Sequence, residues 1–246
     1  MKKEYLLDLV MEKFLFDEKT STGLIMSGKV LVNEIAVTKT RLKVGVNDRI
    51  RIKDQKEFVS RGAYKLLDAY ESFGLDFKEK TCIDAGSSTG GFTEVLLLKG
   101  AKKVYAVDSG TNQLDFTLRT NPLVISLENL RVQDLTKDLI KDKVDLAVMD
   151  LSFTSSSGPV KYIKDLFGPP EIIVLVKPQF EYERLAVILD LSVNFNGIVE
   201  NDDDRKKIID YILGELKDFG LKIAEVKQCI VKGTKGNTEY LVYLWE

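Results

Sequence analysis

Four charged residues, Lys65, Asp150, Lys177 and Glu239, stand where apolar runs begin or end. Asp150 follows Leu146 to Met149, and Lys177 follows Ile172 to Val176 just before Pro178 stops the run. Both read as carboxyl ends of parallel strands, the edge at which open α/β sheets bind ligands. Glu239 opens a last strand that returns from a hairpin, so its start belongs to the same edge. Lys65 lies in the first turn of a helix that leads into an earlier strand, which puts it there too. Two ammonium groups beside two carboxylates can move a proton. A lysine serves as a base if burial and a second ammonium lower its pKa, while neighbouring carboxylates hold it in place and limit that shift. Taken singly, each residue reads as an ordinary surface charge in a pair worth little. Converging beside a ligand loop, they read as a candidate active site.

That loop is the stretch Asp84 to Thr93, with Gly86, Ser87, Ser88, Thr89, Gly90, Gly91 and Phe92 following the apolar run Thr81 to Ile83. A strand, a turn of small residues and then a helical pattern is how an α/β domain brings its backbone to a ligand. Asp84, at the strand end, can accept hydrogen bonds from the loop or from a charged ligand. No Gly-Lys-Ser/Thr triplet follows Gly91, and the glycines at 86, 90 and 91 miss the short first spacing of a dinucleotide fingerprint. Both phosphate readings weaken. Asp108 ends the next strand, Lys103 to Val107, where a carboxylate can take both hydroxyls of a ribose. A nucleoside without a pyrophosphate fits this pattern, and S-adenosyl-L-methionine is such a molecule.

Composition sets the bounds. The 246 residues are 44% hydrophobic, enough to bury a core in one or two domains. The formal net charge is −2, but residues 1–57 hold twelve Lys/Arg against nine Asp/Glu, net +3, leaving twenty-four against twenty-nine, net −5, for residues 58–246. Any nucleic-acid surface must therefore be local, and the amino-terminal part is the basic end. There is no histidine, which excludes His-based triads and most zinc sites, so no metal is expected. Cys82 and Cys229 are too few for a disulfide framework, which makes a reducing cytoplasm the expected compartment. The longest uncharged stretch, Leu151 to Val160, is ten residues against the ~20 needed for a membrane-spanning helix.

In chain order, Glu4 to Phe16 reads as a helix. A charged break at Asp17 to Lys19 separates it from a second helix, Thr20 to Met26. Gly28 to Glu34 reads as a turn and strand, and Arg49 to Lys53 as another strand. After a polar linker at 54–57, helices alternate with strands near 80–84, 103–107, 122–127, 144–149 and 171–176. A long helix at 203–219 and a pair of strands near 221–231 and 239–245 close the chain. The predicted fold class is α/β: a Rossmann-like methyltransferase sheet, parallel with one antiparallel strand, over residues 58–246. A small α+β domain over residues 1–57 precedes it.

Two resemblances sharpen this. The first 57 residues, above all Gly28 to Asn33, resemble the S-four-type RNA-binding module. Ser60 to Leu66, Asp84 to Thr93, Ala106 to Gly110, Asp150 to Phe153, Val176 to Glu181 and Lys232 to Tyr240 resemble the TlyA family, also labelled hemolysin A. That family joins the module to an FtsJ-like methyltransferase domain. The resemblance implies S-adenosylmethionine-dependent methylation of a ribose 2′-hydroxyl, with ribosomal RNA or ribosomal subunits as partner. It places a catalytic tetrad on Lys65, Asp150, Lys177 and Glu239. Lys177 would be the base, Asp150 and Glu239 its organisers, and Lys65 an aligning cation; the cofactor would touch Gly86 to Phe92, Asp108 and Asp150. The segment Glu128 to Gln133 departs from the family pattern and leaves the adenine contacts unassigned. Two other readings stay open: a membrane-active hemolysin, and an RNA-binding protein that keeps the fold as a scaffold.

Overall fold

The computed structural model describes residues 3–14, 16–33, 35–45, 48, 50–53, 58–192 and 195–245. Its contacts divide the chain into two compact units, Met1–Glu57 and Phe58–Glu246.

In the smaller unit, strand β1 (Lys3–Tyr5) precedes helices α1 (Leu6–Phe14) and α2 (Glu18–Met26). Strands β2 (Val30–Val32), β3 (Ile35–Val37), β4 (Lys43–Gly45) and β5 (Ile50–Ile52) follow. β2 is the centre of an antiparallel three-stranded sheet between β3 and β5, and β1 pairs with β4. Leu6, Val10, Ile25, Val30, Val44, Ile50 and Ile52 form its core. Three expectations change here. Glu4 and Tyr5 do not start the first helix, because the ladder to Lys43–Gly45 captures their backbone. The charged break is shorter than expected: Asp17 is the N-cap of α2, accepting from the Thr20 N–H at 2.6 Å, and Glu18 sits in the first turn, where the helix dipole favours it. β3 and β4 stand where no strand was expected, and each is fixed by its pairing, β3 with β2 and β4 with β1. The linker at 54–57, Glu34 and Arg49 lie outside the described residues.

The larger unit holds a seven-stranded sheet. In chain order its elements are α3 (Gly62–Phe73), β6 (Thr81–Ala85), α4 (Gly91–Leu98), β7 (Lys103–Val107), α5 (Phe116–Arg119) and β8 (Val124–Leu127). Then come β9 (Leu146–Met149), α6 (Ser157–Phe167), β10 (Glu171–Val176), α7 (Pro178–Leu185), α8 (Asp202–Asp218), β11 (Lys222–Gln228) and β12 (Tyr240–Trp245). The spatial order is β11-β12-β10-β9-β6-β7-β8, and only β12 runs antiparallel to its neighbours. Helices cover both faces, so the central strands are apolar throughout. Cys82, Leu146, Val148, Ile173 and Leu175 pack toward α3 and α4. Ile83, Ala147, Met149, Ile172 and Val174 join the opposite cluster, which includes Ile163 of α6 and Ile208, Ile212 and Leu216 of α8.

The expected helix between the strands at 122–127 and 144–149 is absent: a single 3-10 turn, Val132–Asp134, occupies the connection. Its residues alternate apolar and charged too irregularly to present one helical face, and Val132, Leu135 and Ile140 are instead buried one at a time. The last two strands are shorter than expected, and Glu239 lies just before β12 rather than in it. Among the described residues, no helix is long and apolar enough to cross a membrane.

The chain leaves β6 toward β7 and β8 on one side, and later builds β9, β10 and β12 on the other. β6 and β9 are neighbours, so their carboxyl ends flank the point where strand order reverses. The buried face of α8 anchors the second half of this arrangement. Ile212→Ala, which removes a fully buried side chain from that face, is expected to destabilise the larger unit by about 2–5 kcal/mol in urea unfolding. Asp210→Ala on the exposed face should fall within about 0.5 kcal/mol of the parent.

Candidate active site

Strand register brings the four charged residues together. Ala85 of β6 is level with Met149 of β9, so Gly86 and Asp150 emerge side by side. Val176 of β10 is level with Tyr240 of β12, so Lys177 and Glu239 are the next pair along that ladder. Pro178 opens α7 at its first turn, which leaves Lys177 extended at the break between strand and helix. Lys65 enters from the first turn of α3, whose face packs on the sheet through Ala63, Leu66 and Ala69.

The result is a continuous polar chain. Lys65 Nζ lies 2.6 Å from Glu239 Oε2 and 4.0 Å from Asp150 Oδ2. Lys177 Nζ lies 2.6 Å from Asp150 Oδ1 and donates to Ser152 Oγ at 3.0 Å. Gln179 Nε2 donates to Glu239 Oε1 at 3.2 Å. Lys65 and Lys177 are each only 8% exposed, and Glu239 is 3% exposed. Burial opposes the charge on Lys65, but Asp150 and Glu239 outweigh it and hold the ammonium above the ordinary lysine range. Lys65 therefore stays a cation, which suits an aligning role rather than that of a base. Gly233 completes the packing, since a Cβ there would lie 2.0 Å from Glu239 Oε1. The side chain that Lys65 and Gln179 hold in place has room only against a bare glycine.

The glycine loop is closed by its own bonds. Gly86 and Ser87 donate their N–H groups to the Val107 carbonyl, Gly90 donates to Ser87, and Ser88 donates to Asp108 Oδ2 at 2.8 Å. Four of the donors that a phosphate cradle would use are thus already engaged, which leaves the loop fewer N–H groups for a phosphate. Gly86 is essential to this closure: its φ is +84°, and a Cβ would stand 2.6 Å from the Asp150 carbonyl oxygen. Asp84 lies beneath the loop, fully buried and accepting from Thr93 Oγ1 at 2.6 Å. Burial pushes its carboxyl up to about 7, and its Oδ1 has no hydrogen-bond partner among the described residues. It braces the helix start, and neither it nor Gly90 lines a cavity at the site.

Two cavities meet here. One of about 310 Å³ is lined by Lys65, Lys177, Glu239, Arg61 and Lys232 together with Ser87, Thr89, Gly91 and Phe92. The other, about 700 Å³, is lined by Asp108, Gln113, Leu130, Val132, Leu151 and Phe153, among others. Gly86, Ser88, Asp150 and Ser152 belong to both walls. Asp108, which also accepts from the Gly110 N–H at 2.7 Å, faces the larger cavity from the end of β7. Glu128 shapes that cavity from behind, taking the N–H groups of Asn112, Gln113 and Leu114 and the guanidinium of Arg119. Phe153 stands at the mouth, 90% exposed, with φ +61° and its ring 5.1 Å from that of Phe180.

Of the sequence-predicted residues, the tetrad and Gly86, Ser87, Ser88, Thr89, Gly91, Phe92 and Asp108 all reach these two cavities. Ser152, Gln179 and Gly233 lie inside the stretches 150–153, 176–181 and 232–240 that carry the family resemblance but were expected to play no part of their own, and the Leu130–Gln133 wall falls in the segment whose contacts stayed unassigned. Among the described residues, no group of three or more His, Cys, Asp or Glu side chains could hold a metal ion.

Comparison with known proteins agrees with this geometry. The family model for FtsJ-like methyltransferases matches residues 58–245. Hemolysin A of Brachyspira hyodysenteriae is 39% identical over 89% of this chain and 90% of its own. The 16S/23S rRNA (cytidine-2′-O)-methyltransferase TlyA of Mycobacterium tuberculosis (strain ATCC 25618 / H37Rv) is 34% identical over 96% of this chain and 87% of its own. A solved structure from Streptococcus thermophilus, described as a candidate hemolysin, covers 100% of this chain and 89% of its own with a TM-score of 0.71 at 31% identity. With its parallel sheet, its loop at the strand-order reversal and its paired lysines and carboxylates, the chain belongs to the FtsJ-like methyltransferase family, in the group that holds the TlyA and hemolysin A relatives.

Proposed function

We propose that this protein methylates a ribose 2′-hydroxyl of ribosomal RNA, using S-adenosyl-L-methionine. The observation that carries the reading is the junction of two cavities at Asp150, one suited to a phosphate-free nucleoside and the other lined by two buried lysines.

The larger cavity fits the cofactor. Asp108 offers a carboxylate to ribose hydroxyls, and Leu130, Val132 and Leu151 offer apolar walls to a flat base. The loop, with its donors engaged, offers little to a phosphate. When bound, the cofactor supplies an electrophilic methyl group on a positively charged sulfur. The smaller cavity takes the acceptor. Lys177, as the free amine, accepts the proton of the 2′-hydroxyl, and Asp150 orients that amine. Lys65, fixed as a cation between Asp150 and Glu239, aligns the acceptor oxygen as negative charge grows on it. Glu239 holds Lys65, and Gln179 and Gly233 hold Glu239.

The rim favours RNA as the acceptor. Among the described residues, Arg61 and Lys232 line the same cavity without a carboxylate partner, which suits backbone phosphates. The exposed ring of Phe153 offers a stacking face to an unpaired base. The smaller unit, with its basic balance and its turn and strand at Gly28 to Asn33, is read as the S-four-type RNA-binding module. The names of the relatives support ribosomal RNA as the substrate.

Two outcomes test this. Lys177→Ala should lower the single-turnover rate of methyl transfer to ribosomal RNA by about 10²–10⁴-fold. Its S-adenosylmethionine affinity, measured by calorimetry, should stay near the parent's, and equal transfer by this variant would remove the base. Gly233→Ala should displace the Glu239 carboxylate and cost about 10²-fold in the same rate. Gly214→Ala, at a position where a Cβ meets nothing within 4 Å, should leave the rate unchanged.

A further inference from the structure

Resting on that reading, we infer that Ser152 is a positioning residue for the base: its hydroxyl, with Asp150, fixes the direction of the Lys177 lone pair. A lysine accepts a proton only as the free amine, which carries two N–H bonds and one lone pair arranged tetrahedrally with Cε. Asp150 Oδ1 at 2.6 Å and Ser152 Oγ at 3.0 Å are both acceptors for Lys177 Nζ. When the amine is neutral, these two partners take both hydrogens, and the lone pair is left in the one remaining position. That position belongs to the acceptor cavity, because Lys177 is buried everywhere else and lines that cavity. With Asp150 alone, the amine turns about the Cε–Nζ bond and its lone pair divides among orientations, some of them unproductive. Orientation of this kind is where much of a positioned group's advantage lies.

The surroundings hold Ser152 in register. It lies between Asp150 at the end of β9 and Ser156, whose N–H and hydroxyl donate to Glu181 Oε1 at 2.8 and 2.9 Å. Glu181 is 1% exposed, and its other oxygen meets Arg184 at 3.1 Å. Glu181 stands in α7, four residues after Lys177, so the serine loop and the base are tied to the same short helix. Ser152 also lines both cavities, where acceptor and cofactor meet. The charged groups around Lys177 are Asp150 from β9, Lys65 from α3 across that carboxylate, and Glu239 ahead of β12, with the Phe180 ring of α7 5.6 Å away. Of the groups in contact with Nζ, Ser152 is the uncharged one that fixes its rotation.

In the step itself the 2′-O–H bond breaks, an N–H bond forms on Lys177, and the oxygen keeps the electron pair with which it bonds to the methyl, while the sulfonium that supplies the methyl would keep the pair of the broken methyl–sulfur bond and leave as a neutral thioether. The amine leaves the step as an ammonium, which Asp150 and Ser152 then accept as donor. Removing the serine oxygen leaves the Asp150 carboxylate to direct the amine alone, and slower transfer with binding kept is the signature of lost orientation.

The test compares the parent, Ser152→Ala and Ser152→Thr in the full chain. Single-turnover transfer to ribosomal RNA is followed across pH to its plateau, and RNA and cofactor affinities are measured by calorimetry. Ser152→Ala is expected to lower the plateau rate by about tenfold or more. RNA and cofactor affinities should stay within about twofold, and Ser152→Thr, which keeps the hydroxyl, should recover most of the rate. A plateau rate in Ser152→Ala equal to or above the parent's, or a threonine variant as slow as the alanine one, would overturn the assignment. The parent separates this from the reading it rests on: a parent enzyme inactive on RNA overturns the substrate reading, whereas an active parent matched by Ser152→Ala overturns the role of Ser152.

Discussion

A buried ammonium is tolerable only beside an anion that is itself held, and this requirement organises the site. Removing one partner of such a pair leaves a charge stranded away from water, at a cost larger than the pair itself contributes. Lys65, Asp150, Lys177 and Glu239 satisfy one another in sequence: Glu239 with Lys65, Lys65 with Asp150, Asp150 with Lys177. The ends of the chain are closed by neutral groups, Gln179 on Glu239 and Ser152 on Lys177. Charge thus alternates along the row, and each member depends on its neighbours for both solvation and direction. The same alternation separates the roles. Lys65, between two carboxylates, remains an ammonium, while Lys177 shares a single carboxylate and lines the smaller cavity.

The fold's contribution is to bring four distant segments to one rim. Parallel pairing of β6 with β9 sets Gly86 beside Asp150, and antiparallel pairing of β10 with β12 sets Lys177 beside Glu239. The reversed strand matters for this reason: only a β12 that runs away from the ligand edge can begin there. α3 adds Lys65 because its first turn, rather than its last, meets the carboxyl ends of the strands. A glycine whose φ is positive and whose missing Cβ admits the Asp150 carbonyl brings loop and strand together.

Much of this was legible in the sequence because it follows from period and topology. Buried strands such as Glu171–Val176 announce themselves as unbroken apolar runs, and a charged residue followed by proline marks where such a run must end. The tetrad, the loop and Asp108 fall at such places. What escaped depends on partners far away in the chain. Lys3–Tyr5 is a strand only because Lys43–Gly45 is there to pair with it, and no local signal distinguishes it from the start of α1. Gly233 is required only because the Glu239 carboxylate fills the space its side chain would take, and Asp84 turns from a ligand group into a buried brace only once α4 covers it. One wall of the larger cavity is built from Leu130 to Gln133, around a 3-10 turn that has no periodicity to detect.

The function proposed for these features is one chemical outcome, a methyl group placed on a ribose oxygen. The most direct measurement is to incubate the purified protein with ribosomal subunits and isotopically labelled S-adenosylmethionine, digest the RNA to nucleosides, and locate the label by mass spectrometry. The account expects the label on the ribose of a discrete nucleotide, as a 2′-O-methyl group. Label on a base, label on a ribosomal protein, or no label on any ribosomal substrate would contradict it.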